Sequence, residues 1–253
     1  MAGFEVEPLP WSQPGGFVDW FRDSWKPGEH ISVIAPTGAG KTTLVGGLLQ
    51  LRRYVLALDP KGGDSTLSGL GYQRLSQWPG EKQLAKMVVS NDEDGKPSRY
   101  VIGPRVLKHS DHTHLRDVTK MALDDAFTMG GWTVYADELQ IMTDNRMMGL
   151  RKEADRMLIA ARDKGLSFVS SYQAPSWVTP HAAKMSTWVF VSYTRDTDVV
   201  NRLAEILGRP KPEIRGAIAG LDRYSWMCVG RDPREPIRLT LPDFIPPKRI
   251  DSQ

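Results

Sequence analysis

Short apolar runs rich in β-branched and aromatic residues recur along the chain: HISVIA (30–35), YVLALD (54–59), RYVIG (99–103), WTVYAD (132–137), LSFVSS (166–171), WVFVS (188–192) and YSWMCVG (224–230). Their length and composition predict buried strands. Helical patterns fall between most of them. KTTLVGGLLQL (41–51) follows the first run. In HLRDVTKMALDDAFTM, Leu115, Val118, Ala122 and Met129 make one stripe. In MMGLRKEADRMLIAARDKG (147–165), Met147, Leu150, Ala154, Leu158 and Ala161 make another, and Gly165 stops it. Strands alternating with helices predict an α/β fold, a mostly parallel central sheet with helices on both faces.

Three segments stand outside this alternation. Residues 1–28 carry Phe4, Trp11, Phe17, Trp20, Phe21 and Trp25, and FVDWFRDSW predicts a short amphipathic helix packed on the core. SNDEDGKPS (90–98) reads by composition as a solvated hairpin loop. Residues 242–253 are Pro-rich, then polar, and read as an extended tail. The expected organisation is a leader (1–28), one large domain (29–241) and that tail.

Composition narrows the class only a little. The chain has 253 residues, 40% hydrophobic and 25% charged, as an ordinary globular domain has. A net charge of +3 permits a polyanionic partner without requiring one. The single cysteine, Cys228, excludes an internal disulfide and fits a reducing compartment. No apolar run approaches the roughly 20 residues of a membrane-spanning helix.

The chemistry lies where strands end. APTGAGKT (35–42) sits between a predicted strand and a predicted helix. Gly38 and Gly40 allow the tight turn that aims backbone N–H groups at an anion, and the helix N-terminus adds its dipole. Pro36, Thr37, Gly38, Ala39, Gly40, Lys41, Thr42 and Thr43 are therefore the candidate triphosphate cradle. Lys41 reaches the β/γ-phosphates and the Thr42 hydroxyl ligates Mg²⁺. Ala35 replaces the first glycine of the usual pattern. Asp137 and Glu138 close the WTVYAD strand, Asp137 for the metal's water shell and Glu138 to polarise a water for attack on the γ-phosphate. Such a glutamate separates ATP-hydrolysing motors from nucleotide kinases and GTPases. Gln173 ends a further strand and is a candidate contact to that water or phosphate. KHSDHTH (108–114) gathers three histidines without a cysteine and reads as a polar loop entering a helix.

These elements in this order resemble the FtsK/HerA superfamily of DNA-pumping ATPases. The resemblance rests on EHISVIAPTGAGKTTL, LALDPKGGD, YADEL, ADRMLIAARDKGLSFVSSYQAP, STWVFVSYTRDTDVVNRLAEILG and LDRYSWMCVG, and runs from about residue 29 to 241. It implies a three-layer P-loop NTPase of the additional-strand catalytic glutamate (RecA-like) type, with ATP and Mg²⁺ bound. It also implies a homo-oligomeric ring, a hexamer or pentamer, acting on double-stranded DNA. It assigns a trans-acting arginine to the helix before the Gln173 strand, with Arg162 first and Arg156 second. Lys61 and Lys96 are the expected DNA contacts. The extra domains of FtsK and of conjugative coupling proteins would not fit in 253 residues. The expectation is thus a compact viral genome-packaging motor in the host cytoplasm, docked at a capsid vertex or portal. The alternatives are a plasmid or chromosomal pump of the same superfamily, and a non-pumping ATP-dependent assembly switch.

Overall fold

A computed structural model describes residues 6–63, 65–104 and 112–243 of the chain. In chain order the elements are β1 (Val6–Pro8), α1 (Phe17–Ser24), β2 (Ile31–Ile34), α2 (Lys41–Leu49), β3 (Tyr54–Leu58), α3 (Ser65–Gly69) and β4 (Gln73–Leu75). There follow α4 (Glu81–Glu93), β5 (Ser98–Ile102), α5 (His112–Met129), β6 (Thr133–Ala136), α6 (Leu139–Thr143) and α7 (Arg151–Ala160). The chain ends with β7 (Ser167–Tyr172), α8 (His181–Met185), β8 (Trp188–Ser192), α9 (Thr197–Leu207), α10 (Lys211–Ala219), β9 (Trp226–Gly230) and β10 (Ile237–Thr240).

The strands form a ten-stranded sheet in the order β1-β10-β9-β8-β2-β7-β6-β3-β5-β4. From β8 to β4 every neighbouring pair is parallel. β9 runs antiparallel to both β8 and β10. The expected mostly parallel sheet is therefore present, with a mixed edge. β7 is inserted between β2 and β6, so an additional strand separates the strand before the glycine loop from the strand before Asp137.

Alternation along each strand feeds two apolar layers. Leu56, Leu58, Val134, Phe168, Val189 and Val191 join one core with residues of α5, α7, α9 and α10. Val33, Val55, Ala57, Tyr135, Val169 and Phe190 face the other, with α2 and the leader. In that second layer Phe17, Phe21, Trp11 and Trp25 are buried. Phe21 meets Trp188 and Phe190 edge-on at 5.4 Å. Burial of each such ring stabilises by about 1.5–3 kcal/mol. The leader also reaches α2: a Cβ on Gly47 would lie 2.7 Å from Trp11 Cζ2. A mid-helix glycine, otherwise unfavourable, is what lets the indole pack there.

Two local readings are corrected. Residues 90–93 are the last turn of α4, and the turn after them enters a parallel strand rather than a hairpin. The polar residues there have specific partners: Asn91 donates to Ser98 Oγ and Tyr100 OH, and Asp92 accepts from Arg53 and Tyr54. The helix predicted over 147–165 begins at Arg151, because Gly149 takes a left-handed φ of +62° and Leu150 is non-helical. Among the described residues no helix is long and apolar enough to cross a membrane. Phe4 and nearly all of the tail, residues 244–253, lie outside the described residues.

Candidate active site

The glycine loop connects β2 to α2 at the carboxyl edge of the parallel strands, where ligands of open α/β sheets bind. Gly38 and Gly40 have φ of +79° and +87°, which only glycine adopts without strain. Ala35 is buried and its N–H donates to the Tyr172 carbonyl at 3.1 Å. It continues the sheet pairing, so a Cβ is tolerated where the usual pattern has glycine. Beside the loop lies a cleft of about 490 Å³, lined by Thr37, Gly38, Gly40, Lys41, Thr42 and Thr43 on one side. Asp59, Lys61, Gly62, Gly63, Ser65, Asp137, Glu138 and Tyr224 complete it.

Lys41 is buried, and its ammonium donates to the carbonyls of Ala35 at 2.9 Å and Pro36 at 3.1 Å. Burial pulls its pKa down, while the charges of Glu138 and Asp137 pull it back up. Asp137 Oδ1 accepts from Tyr135 OH at 2.7 Å and Ser171 Oγ at 2.8 Å. Those two hydroxyls fix the carboxylate against the sheet. The Glu138 N–H donates to the same Ser171 Oγ at 3.2 Å.

Glu138 is buried and has a left-handed backbone, φ +51°. Its Oε1 lies 2.8 Å from Lys61 Nζ and 4.0 Å from Lys41 Nζ, and its Oε2 accepts from Gln140 Nε2. Burial pushes its pKa up, but the Lys61 hydrogen bond, the charges of Lys41 and Lys61, and Gln140 outweigh that and hold it below the usual range. Asp59, buried after β3, accepts from the Gly62 N–H and pairs with Arg74 at 3.0 Å. That bond shapes the Pro60-Lys61-Gly62 turn and aims Lys61 at Glu138.

The expected site residues separate into groups. The loop residues, Lys41, Thr42, Asp137 and Glu138 come together. Gln173 directly follows β7, half-buried at the carboxyl edge between β2 and β6, outside the cleft lining among the described residues. Arg162 is exposed in a 3-10 turn before β7, at the opposite edge of the sheet from its own chain's cleft. Arg156 is engaged, pairing with Asp124 at 2.7 Å and lying over the Phe127 ring at 3.8 Å. Lys61, expected as a DNA contact, lines the cleft and pairs with Glu138 at 2.8 Å. Lys96 is exposed, pairs with Asp94 at 2.9 Å, and precedes β5 at the amino edge. His109 lies outside the described residues. His114 approaches the Ser76 carbonyl at 3.4 Å, and no cluster of metal-ligating side chains occurs among the described residues.

Sequence reasoning missed Tyr135, Ser171, Gln140 and Tyr224. Tyr135 was findable, since position i−2 in a strand shares a face with Asp137.

Fold and site together define a three-layer P-loop NTPase with an additional strand between its two motif-bearing strands. Solved structures share this fold. The genome packaging NTPase B204 from Sulfolobus turreted icosahedral virus 2, in complex with sulfate, superposes with a TM-score of 0.60 at 15% identity, covering 87% of this chain and 99% of that one. Its complex with AMPPCP gives 0.57 at 16% identity, over 85% and 98%. VirB4 of Thermoanaerobacter pseudethanolicus gives 0.57 at 11% identity, over 83% and 88%. No family model and no curated protein sequence matches the chain. The likeness is one of fold, and it is the fold that the FtsK/HerA resemblance implies.

Proposed function

We propose that the chain hydrolyses ATP and uses the energy to move double-stranded DNA, as a ring-forming motor that packages a viral genome. The observation that carries hydrolysis is Glu138: a buried, ionised carboxylate beside Lys41, one residue from Asp137, facing the glycine loop. Its place allows it to take a proton from a water as the water oxygen bonds to the γ-phosphorus and the bond to the β–γ bridging oxygen breaks, leaving ADP and phosphate. Lys41 and the loop N–H groups orient and neutralise the phosphates. The Thr42 hydroxyl and the Asp137 carboxylate are hard oxygen donors facing one cleft, a set that suits Mg²⁺. The ion, when bound, would neutralise phosphate charge.

The work that hydrolysis drives is read from the fold shared with a genome packaging NTPase. On this reading the partners are duplex DNA, further copies of the chain in a hexamer or pentamer, and portal or vertex proteins of a capsid in a host cytoplasm. Lys41→Ala is expected to abolish turnover and weaken ATP binding. Glu138→Gln is expected to bind ATP yet hydrolyse it at least a hundredfold more slowly, in the range general-base loss spans. Wild-type turnover in Glu138→Gln would refute the hydrolytic assignment.

A further inference from the structure

Two residues other than glycine have positive φ among the described residues, Glu138 at +51° and Tyr224 at +68°. Both line the same cleft. Left-handed backbone is unfavourable for a bulky side chain and persists where the surroundings or a function hold it. Asn and Asp offset it with a local hydrogen bond, which tyrosine cannot make. Tyr224 is 43% exposed, and among the described residues its hydroxyl makes no hydrogen bond. The Ser225 N–H donates to the Asp222 carbonyl at 3.0 Å, so Tyr224 is the third residue of a tight turn, a place of positive φ usually given to Gly or Asn. The turn shapes the backbone but gives no reason for an exposed aromatic side chain there.

The sheet order says what it faces. Tyr224 precedes β9, whose antiparallel course starts at the carboxyl edge of the parallel strands. β9 stands two strands from β2 on one side, and β6, which delivers Glu138, stands two strands away on the other. At about 4.8 Å per strand the two residues bracket roughly 19 Å, a span suited to an extended nucleoside triphosphate. If the γ-phosphate lies at Glu138, the chain of phosphates crosses Lys41 and Gly40 and the nucleoside emerges toward Tyr224. The ring is already against the loop: a Cβ on Gly40 would lie 3.3 Å from Tyr224 Cδ1. The Arg223 guanidinium lies 4.8 Å from the ring centroid, adding a cation beside the aromatic face.

We propose that Tyr224 is the stacking platform for the nucleotide's base, its left-handed backbone turning the ring toward the glycine loop. The proposal rests on the ATPase reading. Calorimetric titration of wild type, Tyr224→Ala, Tyr224→Phe and Tyr224→Gly with ATP and with inorganic tripolyphosphate tests it. Tyr224→Ala is expected to lose ATP affinity roughly five- to a hundredfold, as base–aromatic stacking does, with tripolyphosphate unchanged. Tyr224→Phe keeps both affinities, because the ring and not the hydroxyl acts. Tyr224→Gly removes the strain, so its melting temperature equals or exceeds that of wild type while ATP affinity falls as in Tyr224→Ala. It gives the answer if the alanine variant does not fold. Unchanged ATP affinity in Tyr224→Gly, equal loss for ATP and tripolyphosphate, or loss in Tyr224→Phe each overturns the platform. A wild type that binds neither ligand overturns the ATPase reading and the platform with it, whereas failure of the platform alone leaves ATP binding sensitive to Lys41→Ala.

Discussion

His30 leads into β2 with its ring buried, and the Phe168 N–H donates to its Nδ1 at 2.9 Å. That bond needs an unprotonated Nδ1. Burial, against a pull upward from the Leu158 carbonyl and with help from the Arg162 charge, lowers its pKa from 6.5 to about 4. The unfolded chain thus takes up a proton near pH 6.5 that the folded chain refuses until about pH 4. His30's contribution is complete above 6.5 and is lost as pH falls toward 4, in total about 3 kcal/mol. Urea denaturation should show this loss in wild type and a flatter pH dependence in His30→Asn, whose amide oxygen replaces the acceptor. Equal slopes would remove His30 from the acid sensitivity. The sequence shows such a residue only as a histidine before a strand. The same holds for Lys61, which reads as a surface lysine until the Asp59 turn aims it at Glu138. The meeting of Lys41, Asp137 and Glu138 at one cleft was legible because their positions attach to strand ends and a glycine pattern. The hydroxyls of Tyr135 and Ser171 were not, because their partner is set by which strands are neighbours.

β7 is the element that decides this arrangement. Its pairing with β2 and β6 brings Ser171 to Asp137 at its carboxyl end and leaves Arg162 beyond its amino end. At 3.3 Å per residue β7 alone spans roughly 20 Å, so Arg162 cannot serve its own cleft. Its guanidinium makes no ion pair or hydrogen bond among the described residues, whereas Arg156 is held by Asp124 and Phe127. If copies join head to tail, Arg162 is the better placed of the two to reach a neighbour's γ-phosphate. Rings mixed from Arg162→Ala and Glu138→Gln subunits should regain part of the turnover that each lacks alone, since some interfaces then hold an intact finger and an intact carboxylate. No recovery in well-mixed rings would end the trans assignment. The long apolar strands were legible from composition. β1, β4 and β10 were not, since VEP, QRL and IRLT are short, carry charges and pair at or near the sheet's margins.

For the whole molecule the question is how a chain of net charge +3 would hold a polyanion. A ring repeats each local contact around its lumen, so a modest patch on each copy suffices. Of the two lysines expected there, Lys61 also pairs with Glu138 in the cleft, so its substitution would mix two effects. Lys96 gives the cleaner test, since an exposed pair such as that with Asp94 contributes little and exchanges readily for a phosphate. Turnover of the assembled ring should rise with duplex DNA of any sequence, because backbone contacts carry no base code. Binding should weaken with salt at a log–log slope of about −0.9 per phosphate contacted. Lys96→Ala should lower that slope and the stimulation while basal turnover stays at the wild-type rate. Lys61→Ala should instead change basal turnover with no DNA present, because it frees Glu138, the carboxylate proposed to take the proton of the attacking water. Turnover indifferent to DNA at low salt would sink the pump and favour a nucleotide-governed assembly switch. Stimulation that survives Lys96→Ala with an unchanged slope would keep the pump and move its grip to another surface.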